Sequence, residues 1–142
     1  MEKPKIIKEL LNLRDKITNC KEMIEYCDRM SLSVSGQSFD NEVVDHTRNF
    51  EAPFVKWIYR KIECEAKLKT LKEQYQSSIT KLNEYLLGFE ITDEIEIITL
   101  RYIKCYDWAY IQNELCTSES TMYRLHRRAL VRLNELEKLT VA

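Results

Sequence analysis

The sequence predicts an all-α protein, with a long coiled-coil helical hairpin followed by a C-terminal helix-turn-helix. The 142 residues include only two glycines and two prolines, which leaves few turns between long helices. Apolar residues recur with heptad spacing near the start of the chain. Near its end, a short helix, a tight turn and a long basic helix follow one another. With 44% hydrophobic residues, the chain can also bury a core.

The first predicted helix covers residues 4–30 and carries a heptad seam. Spacings that alternate between four and three residues place Leu10, Ile17 and Ile24 at the a positions. The residues at the d positions are Ile6, Leu13, Cys20 and Cys27. Such a helix is roughly 40 Å long, too long for one face to be buried by a small globule. We therefore expect this helix to pair with another long helix.

A polar segment separates the first helix from the second. It runs from Ser31 to about Asn49 and is expected to be a mobile linker, with a short helical turn around Val43–His46. The second long helix is predicted from about Pro53, because proline is favoured in the first turn, to Leu87.

Gly88 is expected to end the second helix as its C′ glycine. Two long amphipathic helices joined by a flexible loop favour an antiparallel hairpin. Residues 1–88 form the first predicted domain. A lone hairpin leaves apolar surface exposed, so we expect this domain to mediate oligomerisation.

Residues 89–142 form the second predicted domain, which contains the helix-turn-helix. Three helices are predicted in this domain. The first begins at a cap at Thr92 or Asp93 and ends at about Cys105. The second covers Trp108–Leu115, and the third runs from about Glu119 to Leu139.

The last two helices are expected to pack through Ile111, Leu115, Met122 and Leu125, which fall on their inner faces. Ser118 is expected to cap the last helix by accepting a backbone N–H.

The candidate DNA contacts lie on the last helix, where four arginines and no acid occur between Ser120 and Asn134. Arginine forms bidentate hydrogen bonds with phosphate or guanine, and serine at a helix start contacts phosphate or base edges. The N-terminal residues of a recognition helix enter the major groove first. We assign base contacts to Glu119, Ser120, Tyr123 and Arg124, phosphate contacts to Arg127, Arg128 and Arg132, and a contact at the helix start to Ser118. A plain solvated arginine face is the alternative interpretation.

No enzyme activity, cofactor or metal ion is expected. Two glycines cannot build a glycine-rich phosphate loop. His46 and His126 lie near no cysteine pair, which argues against a zinc site. Five scattered cysteines without a CxxC motif favour reduced thiols. With no apolar run of a membrane-spanning length and no signal-like start, we expect a cytoplasmic protein without a membrane partner.

Three stretches near the C-terminus resemble region 4 of bacterial sigma factors: Leu100–Lys104, Asp107–Ile111 and Leu115–Leu130. They are more similar still to the small sigma-region-4-like regulators of phages and prophages, the ArpU and RinA type. The N-terminal part is similar to the paired-helix segment of short phage proteins in this group. The resemblance implies a DNA-binding transcriptional regulator, typically an activator of late phage genes.

The sequence departs from the usual helix-turn-helix pattern at two positions. Gln112 stands where a small alanine usually lets the two helices approach. Cys116 stands where glycine is usual, because the turn needs a positive φ.

The predicted function is therefore sequence-specific regulation of transcription. A net charge of −1 does not favour a polyanion partner globally, so DNA binding depends on the local arginines. The expected partners are double-stranded DNA and a second copy of the chain, with RNA polymerase as a further candidate. A dimer would dock two recognition helices, residues 119–136, in successive major grooves.

Two alternatives differ in class. One is a coiled-coil protein-interaction module, for example one that binds RNA polymerase. The other is a small terminase subunit, which would form a ring of many subunits and usually carries its DNA-binding part first. The sequence leaves open the operator, the sign of regulation, the number of subunits, and parallel or antiparallel pairing of the long helices.

Overall fold

The computed structural model describes residues 3–41 and 53–141, which form α-helices and one π-helical segment without any strand. The all-α fold class is thereby confirmed. The helices are α1 (Lys5–Asn41), α2 (Pro53–Leu86), α3 (Thr92–Ile98), α4 (Trp108–Leu115) and α5 (Glu119–Val141), and the π-helical segment is Thr99–Ile103. Within the described ranges, no helix is both long and apolar enough to cross a membrane.

The heptad seam of α1 faces inward, as the spacing predicts. Its two half-buried members are Ile17 and Ile24. Its buried members are Ile6, Leu10, Leu13, Cys20 and Cys27. Ile7, which lies outside the seam, is also fully buried. In the first turns of α1, the buried face is therefore broader than the a and d positions of a coiled coil.

The predicted break at Ser31 is wrong, because α1 continues to Asn41. The Ser31 hydroxyl donates a hydrogen bond of 3.0 Å to the carbonyl oxygen of Asp28, which satisfies this side chain within the helix. A serine costs a helix only roughly half a kcal/mol relative to alanine, so a polar cluster need not end it. The rest of the expected linker, including Val43–His46, lies outside the described residues.

Helix α2 begins at Pro53 and ends at Leu86, within one residue of the predicted end. Gly88 does not act as a left-handed C′ glycine, since no described glycine has a positive φ. The helix ends instead through tighter bonds between residues three apart. The N–H of Gly88 donates to the Tyr85 carbonyl, and the N–H of Phe89 donates to the Leu86 carbonyl, both at 3.0 Å.

The predicted side-chain cap of α3 is also wrong. The N-cap residue is Ile91, whose extended backbone precedes the helix and whose side chain makes no capping hydrogen bond. The first turn carries Asp93 and Glu94 instead, and carboxylates are favoured at the positive end of a helix dipole. Beyond α3, the N–H of Lys104 donates to the Thr99 carbonyl at 2.9 Å, the wider hydrogen-bonding pattern of a π-helical turn.

The chain divides into two compact units that differ from the segments 1–88 and 89–142. The terminal unit combines Met1–Leu13 with Tyr75–Ala142, and the middle unit is Arg14–Gln74. In the terminal unit, the Ile6 N–H donates to Glu137 Oε1 at 3.3 Å, a contact between residues 131 positions apart. The core of this unit comprises Ile6, Ile7, Leu10, Leu82, Leu86, Phe89, Ile97, Ile98, Leu100, Tyr102, Ile111, Met122, Ala129, Leu130 and Leu133.

The middle unit is held by contacts between α1 and α2. The rings of Tyr26 and Trp57 meet edge to face, with centroids 5.6 Å apart. Lys61 Nζ lies 2.7 Å from Asp28 Oδ1, an exposed ion pair that contributes little to stability. Most of the stabilisation of this unit must therefore come from its buried seam residues and aromatic contacts.

Candidate nucleic-acid interface

Helices α4 and α5 are held together by the apolar residues that the sequence assigns to their inner faces. Ile111 is fully buried and Met122 is 1% exposed, while Leu115 and Leu125 are half-buried against the same core. These side chains fix α5 on the terminal unit and leave its opposite face in solvent.

The turn between α4 and α5 has the positive φ that is expected at Cys116. Cys116 has φ 54° and ψ 43°, the left-handed region in which glycine is usual. Its N–H donates to the Asn113 carbonyl at 3.3 Å, which closes the end of α4. A residue with a Cβ costs roughly 1–2 kcal/mol in this conformation, so this turn is strained locally.

Both helices begin at a side-chain cap. Asp107 Oδ1 accepts the N–H of Tyr110 at 2.9 Å at the start of α4. Ser118 Oγ accepts the N–H of Thr121 at 3.3 Å at the start of α5, which confirms the predicted cap. The Ser118 hydroxyl also donates to Thr121 Oγ1 at 2.9 Å. The start of α5 is therefore well defined.

The N-terminal half of α5 exposes a face that we call the arginine face, made of Arg124, Arg127 and Arg128. Residues three and four apart lie on the same side of a helix, so these three guanidinium groups share one side of α5. Glu119, Ser120 and Tyr123 are also exposed and lie between the helix start and Arg124. The structure therefore brings these six predicted residues together in solvent.

Arg132 does not share this position, although the sequence groups it with the phosphate contacts. Its Nε donates to Oε1 of Glu94 at 2.8 Å, and the Glu94 side chain is fully buried. The guanidinium also lies over the ring of Phe89, 6.0 Å from its centroid. The pKa of Arg132 is raised by its hydrogen bond and charge interaction with Glu94. This arginine therefore ties α5 to α3.

Beneath the exposed face, Trp108 is the centre of an aromatic cluster. Its ring meets those of Tyr123 and His126 edge to face, with centroids 5.2 Å and 4.8 Å away. The guanidinium of Arg101 lies over the Trp108 ring at 4.4 Å and donates to the Tyr106 carbonyl at 3.1 Å. Tyr123 is thus supported from below while it remains 38% exposed.

His126 is part of this cluster and is held in its neutral form. A hydrogen bond of 2.7 Å joins its Nε2 to the hydroxyl of Tyr102, which is buried. Burial, together with the positive charges of Arg101 and Lys3, lowers the pKa of His126 from 6.5 to about 4. The histidine therefore adds no charge to α5 at neutral pH.

Sequence reasoning missed four residues of this arrangement. Asp107 carried a usable signal, because an aspartate directly before an apolar helix is a common N-cap. Arg101, Tyr102 and Glu94 carried none, since their partners lie on other elements. Among the described residues, no three His, Cys, Asp or Glu side chains are grouped as a metal site. Comparisons with protein-family models, curated proteins and solved structures find no significant match.

Proposed function

We propose that α4 and α5 form a DNA-binding helix-turn-helix and that the protein regulates transcription. The observation that carries this proposal is the arginine face, which stands in solvent without an intervening acid. A recognition helix needs such a face together with firm packing on its other side. The burial of Ile111 and Met122 supplies that packing.

Each exposed residue has a role in this proposal. Ser120, Tyr123 and Arg124 lie near the start of α5 and would reach base edges, together with Glu119. Arg127 and Arg128 would contact phosphates, and Ser118 would lie close to the backbone at the helix start. The contact of Arg132 with Glu94 favours a structural role, so we leave it out of the phosphate set.

The proposal includes a dimer that docks two recognition helices about 34 Å apart, in successive major grooves. Three apolar residues of α2 support a self-associating surface in the middle unit. Ile58, Tyr59 and Ile62 are 39%, 59% and 55% exposed, and their spacing puts them on one side of the helix. Tethering two weak DNA contacts raises their joint affinity. The resemblance to phage regulators suggests activation of late genes, with RNA polymerase as an additional partner.

Fluorescence anisotropy tests DNA binding directly, with promoter fragments from the protein's own genomic neighbourhood at several salt concentrations. If two or three arginines per subunit neutralise phosphates, log K falls against log salt with a slope of about −2 to −3 per subunit. Preference for one fragment supports a regulator. Absence of binding at low salt contradicts the proposal.

Two substitutions separate base contacts from phosphate contacts. Arg124→Ala should cost about 1–3 kcal/mol on the preferred fragment and relax sequence preference. Arg128→Ala should weaken binding to all fragments alike and reduce the salt slope by about 1. Lys138→Ala is the matched control, since it removes one exposed positive charge from the last turns of the same helix. If all three variants lost the same DNA affinity, binding would reflect non-specific charge attraction only.

The exposed apolar residues of α2 also favour a second candidate function, a protein-interaction module. Under this hypothesis, Arg124→Ala and Arg127→Ala leave the function intact, and charged substitutions of the exposed α2 residues Tyr59 and Ile62 abolish it. The terminase alternative predicts a ring of many subunits, which the mass of the assembly in solution tests.

A further inference from the structure

An open cavity lies between α1 and α2 in the middle unit, and its edge is positively charged. The cavity has a volume of about 330 Å³, and its lining includes Lys16 and Met23 of α1 and Cys64 and Lys67 of α2. Both lysines are exposed. Two ammonium groups at one opening attract an anion and repel a cation.

The same side of the middle unit continues from the cavity into a cluster of aromatic rings and cations. Residues three or four apart share one side of a helix, so Tyr26 follows Met23 on α1 and Arg60 precedes Cys64 on α2. The edge-to-face contact of Tyr26 with Trp57 joins the two helices at this point. The cavity and the ring cluster therefore form one continuous surface.

The aromatic rings hold three further cations in place. Lys56 Nζ lies 5.5 Å from the centroid of the Trp57 ring, and the guanidinium carbon of Arg60 lies 5.2 Å from it. The guanidinium carbon of Arg29 lies 5.9 Å from the centroid of the Tyr26 ring. We call this surface the basic groove. Its five cations are Lys16, Arg29, Lys56, Arg60 and Lys67.

The positive charge of the basic groove is not cancelled by ion pairs. Lys61, next to Arg60 in the chain, is paired with Asp28 at 2.7 Å, but no ion pair within the described ranges includes a cation of the groove. An aromatic ring is neutral, so it holds a cation without removing its charge. Helical spacing places two acids, Glu22 and Glu63, on the same side. Five cations outnumber them.

We propose that the basic groove binds the phosphate backbone of DNA and gives the protein a second DNA contact besides α5. Lys16 and Arg29 are roughly 20 Å apart along α1. The phosphates of one duplex strand follow one another every ~3.4 Å of the helix axis, so this row matches several phosphates of a polymer rather than one small anion. The identity of the polyanion rests on the proposed function, whereas the groove belongs wholly to the middle unit.

The test is fluorescence anisotropy of the full-length double variant Lys56→Gln/Arg60→Gln at several salt concentrations, with the promoter fragments and an unrelated duplex. Both side chains are exposed, so the fold should be kept. Each lost phosphate contact reduces the salt slope by about 1, which equals about tenfold in affinity between 1 M and 0.1 M salt. The double variant should therefore bind every duplex about a hundredfold more weakly at 0.1 M salt, with sequence preference unchanged.

Lys61→Gln is the matched control for the double variant. It removes a lysine of the same helix whose charge Asp28 already neutralises, so the salt slope should stay as in the parent protein. An equal loss per charge in this control would overturn the proposal, since any lysine of α2 would then have the same effect.

Tryptophan fluorescence gives a readout located at the groove. The chain has two tryptophans, Trp57 and Trp108, so the difference between the parent protein and Trp57→Phe isolates the emission of Trp57. This emission should change when duplex DNA is added, because the cations over the ring turn towards phosphates. Unchanged Trp57 emission at saturating DNA contradicts a contact at the groove.

Arg128→Ala on α5 separates this inference from the proposed function. Losses in both Arg128→Ala and the double variant support two DNA contacts. Loss only in Arg128→Ala overturns the groove contact and leaves the role of α5 standing, and loss only in the double variant does the reverse. Absence of DNA binding by the parent protein overturns both. If the double variant instead lost binding only to vesicles of phosphatidylserine and phosphatidylcholine, the groove would be a membrane contact and the proposal would be wrong.

Discussion

At the scale of single residues, Cys116 shows that a motif position is defined by backbone geometry. The sequence places a cysteine where glycine is usual, and the residue still adopts φ 54°. The turn is therefore made at a cost in free energy, which the packing of Ile111 and Met122 on either side must offset.

Replacement of this residue should stabilise the protein. Cys116→Gly should raise the free energy of unfolding by about 1 kcal/mol, because glycine adopts the left-handed conformation without a Cβ clash. Urea unfolding followed by circular dichroism measures the change. Cys116→Ala is the control that keeps a Cβ and should give no gain. Equal stability of the two variants would mean that the turn is not strained.

His126 gives a residue-level prediction about pH. Its pKa is about 4 in the folded protein and 6.5 ordinarily, so between these values the unfolded chain binds a proton that the folded chain does not. Stability should therefore fall as the pH is lowered from 6.5 towards 4, by at most about 1.4 kcal/mol per pH unit. Above pH 6.5 this histidine adds no pH dependence.

Unfolding by urea at a series of pH values checks this slope. The difference between the parent protein and His126→Gln isolates the histidine, because all other titrating groups are common to both. Glutamine cannot take up a proton in this range, so the slope below pH 6.5 should be smaller in the variant. If the free energy of unfolding changed equally with pH in the two proteins, His126 would lie in solvent rather than in the aromatic cluster.

At the scale of secondary structure, the pair of Glu94 and Arg132 couples α3 to α5. Glu94 is fully buried, and only its Oε1 has a partner, at 2.8 Å from Arg132 Nε. Loss of one partner from such a pair costs more than the pair contributes, since a buried charge is left alone. The orientation of α5 therefore depends on a contact outside the α4–α5 pair.

A double-variant comparison tests this coupling. Arg132→Met should destabilise the protein by about 2 kcal/mol, less than for a fully buried pair because the arginine side chain is 37% exposed. Adding Glu94→Leu should restore most of this loss, since it removes the unpaired carboxylate. Thermal unfolding of the four proteins gives the coupling energy. Additive losses would show that the two side chains act independently.

Several elements of the fold were predictable because their signal is local. Heptad spacing identifies the buried side of α1, and the polar turn before Glu119 identifies the start of α5. The continuation of α1 past Ser31 was not predictable from a polar cluster, because serine satisfies its hydroxyl within a helix.

Other parts of the site depend on contacts far apart in sequence. The arginine face follows from residue spacing alone. The separate role of Arg132 does not, because its partner Glu94 lies 38 residues away on another helix. The neutral state of His126 likewise depends on Tyr102 and Arg101, which local patterns cannot bring next to it.

At the scale of the whole molecule, the proposed DNA binding depends on self-association through α2, which would bring two copies of α5 to the duplex. Tyr59→Glu together with Ile62→Glu should convert a dimer into a monomer, because both residues are more than half exposed on α2 and charge would be desolvated there. Sedimentation equilibrium measures the mass. Gln74→Glu is the control, an exposed position on the same helix that also adds a negative charge. A monomeric parent protein would rule out the dimer.

The composition of the terminal unit has a consequence for synthesis of the protein. This unit joins Met1–Leu13 to Tyr75–Ala142, with Ile6 bonded to a residue 131 positions later. On the ribosome, the residues of the middle unit are complete long before α5 emerges. Ile6, Ile7 and Leu10 in the first turns of α1 therefore remain exposed to solvent until α5 has left the ribosome. The nascent chain is vulnerable to aggregation or chaperone capture at its first residues, and the terminal unit folds last.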